Sequence, residues 1–433
     1  MESIYVHGGI SLQGQVRIQG SKNAVLPILA ATLLTEGISE LENCPRLTDV
    51  EHMRTLLKGL GCTTTWEKDK LKADAAGVDK ICMCESTAKC AVNAMSCGVC
   101  KDAVKEMRSS VFLLGAMLGR MGEAKLEYPG GCVIGKRPID LHVETLKQMN
   151  VEFEEKSYGI YAHTRGLKGA KIQMSMPSVG ATENLILAAV RAEGTTEIMG
   201  AAKEPEIVAL CNYLNLCGAD ITGAGSEKLV INGVKKLHGA AFFVPGDRIV
   251  AGTYLCAVLA ASGEVLLKNA PTGEMGQVLS LARQMGATCQ ETDLGLYVER
   301  YEPLENVPRI VTAPYPGFPT DMQSLFLAVA SLAKGQCLIE EKVFENRFHI
   351  VPDLQAMGAD IEVLDASRLL VRGVEELNGF TMAAKELRGG AALVIAAAAA
   401  KGESVIDGCR YIARGYENIC RDLRELGVRI YGV

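Results

Sequence analysis

SKNAVLPILAATLLTEG, residues 21–37, opens on polar and cationic residues, runs through apolar and small residues on every side of a helical turn, and stops at glycine. A surface helix keeps one polar face; a helix apolar all round is buried. The same design recurs as RSSVFLLGAMLGRMG (108–122), SVGATENLILAAVRAEG (178–194), DRIVAGTYLCAVLAASG (247–263), TDMQSLFLAVASLAKG (320–335) and LRGGAALVIAAAAAKG (387–402). Each copy is followed by a more amphipathic element ending near glycine, from LLKGLGCTT (56–64) to LRELGVRIY (423–431). Short alternating segments such as KLVING and EVLLKNA, which predict strands, lie between the two series. Six repeats of one mixed α/β unit follow, each with a buried helix, an outer helix and several strands.

Two three-repeat domains fit this length better than a solenoid, because the units are long and no capping repeat is evident. The division falls near Val244-Pro245-Gly246, giving domains of residues 22–245 and of 1–21 plus 246–433. Residues before the first helix are expected to complete the sheet of the last repeat.

With 433 residues, 48% of them hydrophobic, the chain has material for a sizeable core. A net charge of −6 argues against a general nucleic-acid binder. The opening MESIYVHGGISLQGQVRIQG lacks a basic region followed by an apolar one, so no secretory export is predicted. The longest apolar run, GGAALVIAAAAAKG, falls short of the ~20 residues of a membrane helix. Fifteen cysteines without a signal segment predict a reduced, cytoplasmic protein with no membrane partner.

Chemistry-bearing residues gather where the buried helices begin: Lys22 and Asn23, Arg108, Ser178, Asp247 and Arg248, Asp321, Arg388. Free N–H groups at a helix start attract anions. Aspartates there also serve as N-caps, whereas Lys22, Arg108 and Arg388 gain nothing from the dipole and point to a bound anion. GGCVIGKR (130–137) nearly matches a P-loop, but no Ser or Thr follows Lys136 and Arg137 leads into a proline, so nucleotide hydrolysis is not expected. Its glycines suit a mobile lid, and Lys136 and Arg137 make Cys132 a more acidic thiol.

These residues lie in a set of motifs, GSKNAxLP, PGGCxIGxRPxDLH, SVGATEN, EPEIV, PGFPTDMQ, VFENRF and RGYE, that spans essentially the whole chain. In them the sequence resembles the enolpyruvyl transferases, and among these the branch that acts on UDP-N-acetylglucosamine. The resemblance implies a two-domain inside-out α/β barrel of six βαβαββ repeats, with the active site in the cleft between the domains. It implies transfer of the enolpyruvyl group of phosphoenolpyruvate to the sugar 3′-hydroxyl through a tetrahedral ketal, with release of phosphate. That is the first committed step of peptidoglycan precursor synthesis, hence of cell-wall biogenesis, cell shape and division. Lys22, Arg137 and Arg414 would hold phosphoenolpyruvate, with Arg388 beside them. Cys132 would protonate its methylene carbon and be the thiol that fosfomycin alkylates, and Asp321 would meet the sugar hydroxyl. Lys22 and Arg414 count with Cys132 and Asp321 as catalytic. The sugar nucleotide would contact Asn23, Arg108, Arg137, Pro138, Ile139, Asp140, Leu141, Ser178, Val179, Gly180 and Val343, and Arg347 would be structural or couple the domains. No metal or organic cofactor is implied, and the expected partners are the two substrates, in a monomer or weak oligomer.

Three positions depart from the family pattern: Glu386 for a frequent Asp, Val250 for a frequent Glu, and Met176 where some members place Lys. A longer Glu386 is expected to alter a proton relay. Cys82, Cys84, Cys90, Cys97 and Cys100 form a cluster the family does not share. Reduced buried thiols, a metal site and a redox switch all remain open for it. The alternatives on function are an enolpyruvylshikimate-phosphate synthase, from which Asn23 and Cys132 point away, and a weakly active regulatory paralogue that binds the UDP-sugar.

Overall fold

The computed structural model describes residues 2–78, 107–127, 139–157 and 159–432. Cys132, Lys136, Arg137, Pro138 and the cluster Cys82, Cys84, Cys90, Cys97 and Cys100 lie outside the described residues.

The helices expected from the repeat are Lys22–Ala31, Leu113–Met121, Val179–Ala189, Arg248–Ala261, Gln323–Ala330 and Leu387–Ala399. All are buried along most of their length, as their lack of a polar face requires. The second and fifth are entered through single 3-10 turns, Arg108–Phe112 and Thr320–Met322. Small residues let them approach closely. A methyl group on Gly115 would lie 2.4 Å from the carbonyl oxygen of Asn184, and one on Gly252 would lie 2.6 Å from the Met322 side chain.

The chain divides into two compact units, one formed by the described parts of Met1–Gln19 and Gly246–Val433, the other by those of Gly20–Gly131 and Arg137–Pro245. Each has its own hydrophobic core. In the first of these, the fourth, fifth and sixth buried helices pack on one another. In the second, the second buried helix packs against the first and the third.

The sheets lie outside the helices and repeat one pattern. In the third repeat Lys171–Gln173 runs parallel to Thr195–Met199, which pairs antiparallel with Lys228–Asn232, itself antiparallel to Asp220–Thr222. The fifth repeat copies this with Arg309–Val311, Gln336–Glu340, Arg368–Arg372 and Asp360–Val363. Strand Ser3–His7 fills the corresponding inner place in the sixth repeat, between Glu403–Asp407 and Arg429–Gly432. The N-terminus thus completes the last sheet, but only in part. Leu12–Arg17 joins the fourth repeat instead, parallel to Gly263–Lys268, just as Ala241–Phe243 joins the first repeat beside Ile38–Glu42.

The outer helices are amphipathic as expected in Thr48–Gly59 and Gly276–Gln284. Pro205–Leu216 departs from this: most of it is buried, because it packs against the first buried helix. No helix among the described residues is long and apolar enough to cross a membrane.

Candidate active site

In the unit containing Lys22, the first and third buried helices start on local hydrogen bonds. Ser21 caps the first helix, its Oγ accepting from the Ala24 N–H at 3.3 Å. Lys22 follows with its side chain only 11% exposed, and its Nζ lies 2.8 Å from Oδ2 of Asp49, whose side chain is 2% exposed. Asp49 sits in the first turn of Thr48–Gly59, where a carboxylate is also favoured by the helix dipole. A cation at a buried helix start therefore has a protein counter-ion, which sequence reading assigned to a bound anion alone. The pair fixes where the ammonium stands.

Ser178 caps the third helix through the Ala181 N–H at 3.4 Å, setting half-buried Val179 and Gly180 in its first turn. Ile139, Asp140 and Leu141 lead into the helix Asp140–Lys147. These segments are joined by Asn184, which is fully buried. Its Oδ1 accepts the Gly115 N–H at 2.6 Å, and its Nδ2 donates to the Val111 carbonyl at 3.0 Å. Those two partners settle the amide's orientation, since one can only donate and the other only accept. Nδ2, 2.8 Å from His142 Nδ1, must then donate to it, so the His142 proton resides on Nε2. A methyl group on Gly180 would lie 3.2 Å from His142 Cε1, so the ring packs against the start of the third helix. Asn184 and His142 thus tie together three segments that carry expected sugar-nucleotide contacts. Asn184 stands in the quoted SVGATEN motif, but nothing local in sequence announces its partners.

The other unit holds a carboxylate between two guanidinium groups. Asp321, in the turn Thr320–Met322, accepts from Arg347 Nη2 at 2.7 Å on Oδ1, and Arg388 Nε lies 3.6 Å from Oδ2. Both arginine residues are 4% exposed, whereas the Asp321 side chain keeps 27% of its surface open. Burial alone would push this carboxyl up. The charges of Arg347 and Arg388, the hydrogen bond from Arg347 and the charge of Arg248 outweigh it and hold the group well below the usual carboxylate range. It is an ionised acceptor with an open side, suited to receive a hydroxyl. Arg347 therefore acts on Asp321 within one unit, a role that sequence reading left as structural or domain-coupling. Arg388 also lies over the Tyr416 ring at 5.5 Å, and Tyr416 hydrogen-bonds Thr253 Oγ1 at 2.7 Å. Arg414, half-buried, ends the turn Ile412–Arg414 below that tyrosine in sequence. Val343, 38% exposed, stands two residues beyond Glu341, a buried carboxylate that accepts its backbone N–H at 2.7 Å.

The acidic residues at the starts of the fourth and sixth helices are caps. Asp247, 2% exposed, caps the fourth helix through the N–H groups of Ile249 and Val250 at 2.9 and 3.1 Å. Glu386 caps the sixth, accepting from the N–H of Arg388 at 2.8 Å and from that of Gly389. Both of its oxygens serve the cap, so its added length is taken up there. Val250 is buried in the core and Met176 is exposed. The described cysteines are buried, and burial pushes the thiols of Cys62, Cys211 and Cys337 up to about 12. Burial disfavours the thiolate, which is the reactive form.

The model of the EPSP synthase (3-phosphoshikimate 1-carboxyvinyltransferase) family matches residues 6–423. The chain is 42% identical over 432 residues, 99% of each chain, to UDP-N-acetylglucosamine 1-carboxyvinyltransferase 2 of Caldanaerobacter subterraneus subsp. tengcongensis. It is 43% identical over 435 residues, again 99% of each, to UDP-N-acetylglucosamine 1-carboxyvinyltransferase of Sphingopyxis alaskensis. Among solved structures, the enolpyruvyl transferase NikO from Streptomyces tendae superposes with a TM-score of 0.85 at 24% identity, over 99% of this chain and 98% of that one. EPSP synthase from Acinetobacter baumannii superposes with a TM-score of 0.73 at 17% identity, over the whole of both chains. These last two likenesses establish the fold. The chain belongs to the EPSP synthase (3-phosphoshikimate 1-carboxyvinyltransferase) family and is a carboxyvinyl transferase.

Proposed function

We propose that this transferase moves the enolpyruvyl group of phosphoenolpyruvate to the 3′-hydroxyl of UDP-N-acetylglucosamine and releases phosphate. The observation that carries the proposal is identity above 40% over 99% of both chains to relatives named for that sugar nucleotide. The shikimate acceptor is named by the family model and by a fold likeness at 17% identity.

The residues supply what the reaction needs. Phosphoenolpyruvate brings a phosphate and a carboxylate, and Lys22, Arg137 and Arg414 are the cations assigned to them, with Arg388 nearby. Asp321, kept ionised by Arg347 and Arg388, takes the proton of the 3′-hydroxyl as the oxygen's lone pair attacks C2 of phosphoenolpyruvate. Cys132 delivers a proton to the methylene carbon as the C–O bond forms, which gives the tetrahedral ketal. Loss of a methyl proton to the Cys132 thiolate, and of phosphate, which carries away the proton held on Asp321, then restores the double bond. Asn23, Arg108, the run Arg137 to Leu141, Ser178, Val179, Gly180 and Val343 are the proposed contacts to the sugar nucleotide. Its product would enter peptidoglycan precursor synthesis in the cytoplasm, and fosfomycin would inactivate the enzyme at Cys132.

The experiment is phosphate release from phosphoenolpyruvate with UDP-N-acetylglucosamine and shikimate 3-phosphate offered in parallel. Release with the sugar nucleotide alone is the expected result. Release with shikimate 3-phosphate alone would assign the other acceptor. Tight sugar-nucleotide binding without release would identify a regulatory paralogue.

A further inference from the structure

Glu341 is a buried carboxylate with no counter-ion among the described residues. It is 2% exposed, and among the described residues no cation lies within ion-pair distance of it. The neighbouring cations Arg309 and Lys342 pair with Glu340 instead, at 2.7 and 3.8 Å. Burying a lone carboxylate is costly unless hydrogen-bond donors surround it. Four do. Oε1 accepts from Thr312 Oγ1 at 2.8 Å, from the Val343 N–H at 2.7 Å and from the Phe344 N–H at 3.0 Å. Oε2 accepts from Thr320 Oγ1 at 2.8 Å.

The arrangement has a direction, because a carboxylate only accepts. Both threonine hydroxyls must give their protons to Glu341. The freed lone pair of Thr312 Oγ1 then accepts the Lys342 N–H at 2.8 Å. Three consecutive N–H groups, of Lys342, Val343 and Phe344, are thereby folded around one carboxylate and the hydroxyl it orients. The other oxygen reaches Thr320, the residue before Asp321. Glu341 itself sits at the C-terminal end of Gln336–Glu340, beside the parallel strand Arg309–Val311, and ligands of α/β sheets bind beyond such strand ends.

We propose that Glu341 is a positioning residue: it straps the turn that presents Asp321 to the turn that presents Val343, and so sets the spacing of two sugar-nucleotide contacts. The inference rests on the acceptor proposed above. Arg347 and Arg388 fix the charge of Asp321, whereas Glu341 fixes the backbone on which it stands.

The test compares Glu341→Ala, Glu341→Gln and Thr320→Val with the wild-type enzyme under steady-state conditions for both substrates. Glu341→Ala is expected to lower kcat/KM for UDP-N-acetylglucosamine about 100-fold, the effect of a misplacement near 1 Å, while KM for phosphoenolpyruvate changes no more than about threefold. Glutamine keeps an acceptor for the Val343 and Phe344 N–H groups, and the Thr320 hydroxyl can turn to accept from its amide. Glu341→Gln should therefore recover the activity to within about tenfold of wild type. Thr320→Val cuts the link to the Asp321 turn and leaves Glu341 Oε2 without its donor, so it should lower stability as well, and should lower kcat in the protein that stays folded. A purely structural glutamate would lower stability in Glu341→Ala but leave kcat and both KM values of the folded protein unchanged, and that result overturns the proposal.

Hydrogen exchange separates this outcome from failure of the proposed acceptor. Wild-type protein that does not turn over UDP-N-acetylglucosamine counts against the acceptor, not the strap. In that case Glu341→Ala should still lose amide protection in residues 318–322 and 342–344 together. Loss confined to 342–344 would show that no strap exists.

Discussion

Arg347 Nη2 donates to Asp321 Oδ1 across 2.7 Å, from a guanidinium that is almost wholly buried to a carboxylate left open on one side. The acid is thereby committed to its ionised form while remaining accessible. Burial favours the neutral acid, so the pair settles which tendency wins.

Arg347→Met should release the Asp321 carboxyl upward toward its ordinary range, since the variant removes the strongest opposing charge and the hydrogen bond together. In the wild type a lowered folded pKa stabilises the protein fully above about pH 4, the unfolded aspartate value, and this stabilisation fades as pH falls through the folded value. The stability gap between wild type and variant should be widest near neutrality and should narrow in acid. An acid limb should also rise into view in the kcat/KM profile of the variant. Parallel stability curves, checked by urea titration across pH, would show that Arg347 does not control this ionisation.

Asp49→Asn should lower stability by about 3 kcal/mol, because it removes the charge paired with the nearly buried Lys22 ammonium. The same change should cost about tenfold in kcat/KM for phosphoenolpyruvate through loss of orientation. Thermal unfolding with kinetics on one preparation reads both. Unchanged stability would mean the ion pair is not formed.

Asn184→Leu should be destabilising by about 3 kcal/mol, since it leaves the Gly115 N–H, the Val111 carbonyl and His142 Nδ1 without their partner. Asn184→Asp is more telling. The aspartate would face Nδ1 with an acceptor, so the His142 proton should move there. Ring ¹⁵N shifts should report Nε2 as the protonated nitrogen in wild type and Nδ1 as protonated in the variant. The same tautomer in both would contradict the assigned network.

Much of the fold was legible because a helix apolar on all faces has few places to go, and six of them at regular spacing define a repeat. One cap was legible too: Asp247 hydrogen-bonds the N–H groups two and three residues onward, whereas the caps Ser21 and Ser178 were not read as such. What escaped sequence reading is non-local. Asn184 meets His142 across 42 positions, and Glu341 meets Thr312 across 29. Neither pairing leaves a periodic trace, since it depends on which strand ends and helix starts the fold brings together. Strand Leu12–Arg17 was missed for the same reason, its partner Gly263–Lys268 lying in a distant repeat.

Cys132→Asp should resist fosfomycin while retaining turnover, because a carboxyl can also donate the proton. The described thiols are buried, so peptide mass mapping of the inactivated wild type should find the adduct on Cys132. Inactivation of both forms at equal rates would place the modified residue elsewhere.

The most direct measurement is the identity and stoichiometry of the product formed from phosphoenolpyruvate and UDP-N-acetylglucosamine, read by mass spectrometry beside a phosphate assay. The account predicts a sugar nucleotide carrying one enolpyruvyl ether at its 3′-oxygen and one phosphate released for each. Phosphate without a new sugar nucleotide, or an enolpyruvyl product only when shikimate 3-phosphate is the acceptor, would contradict it.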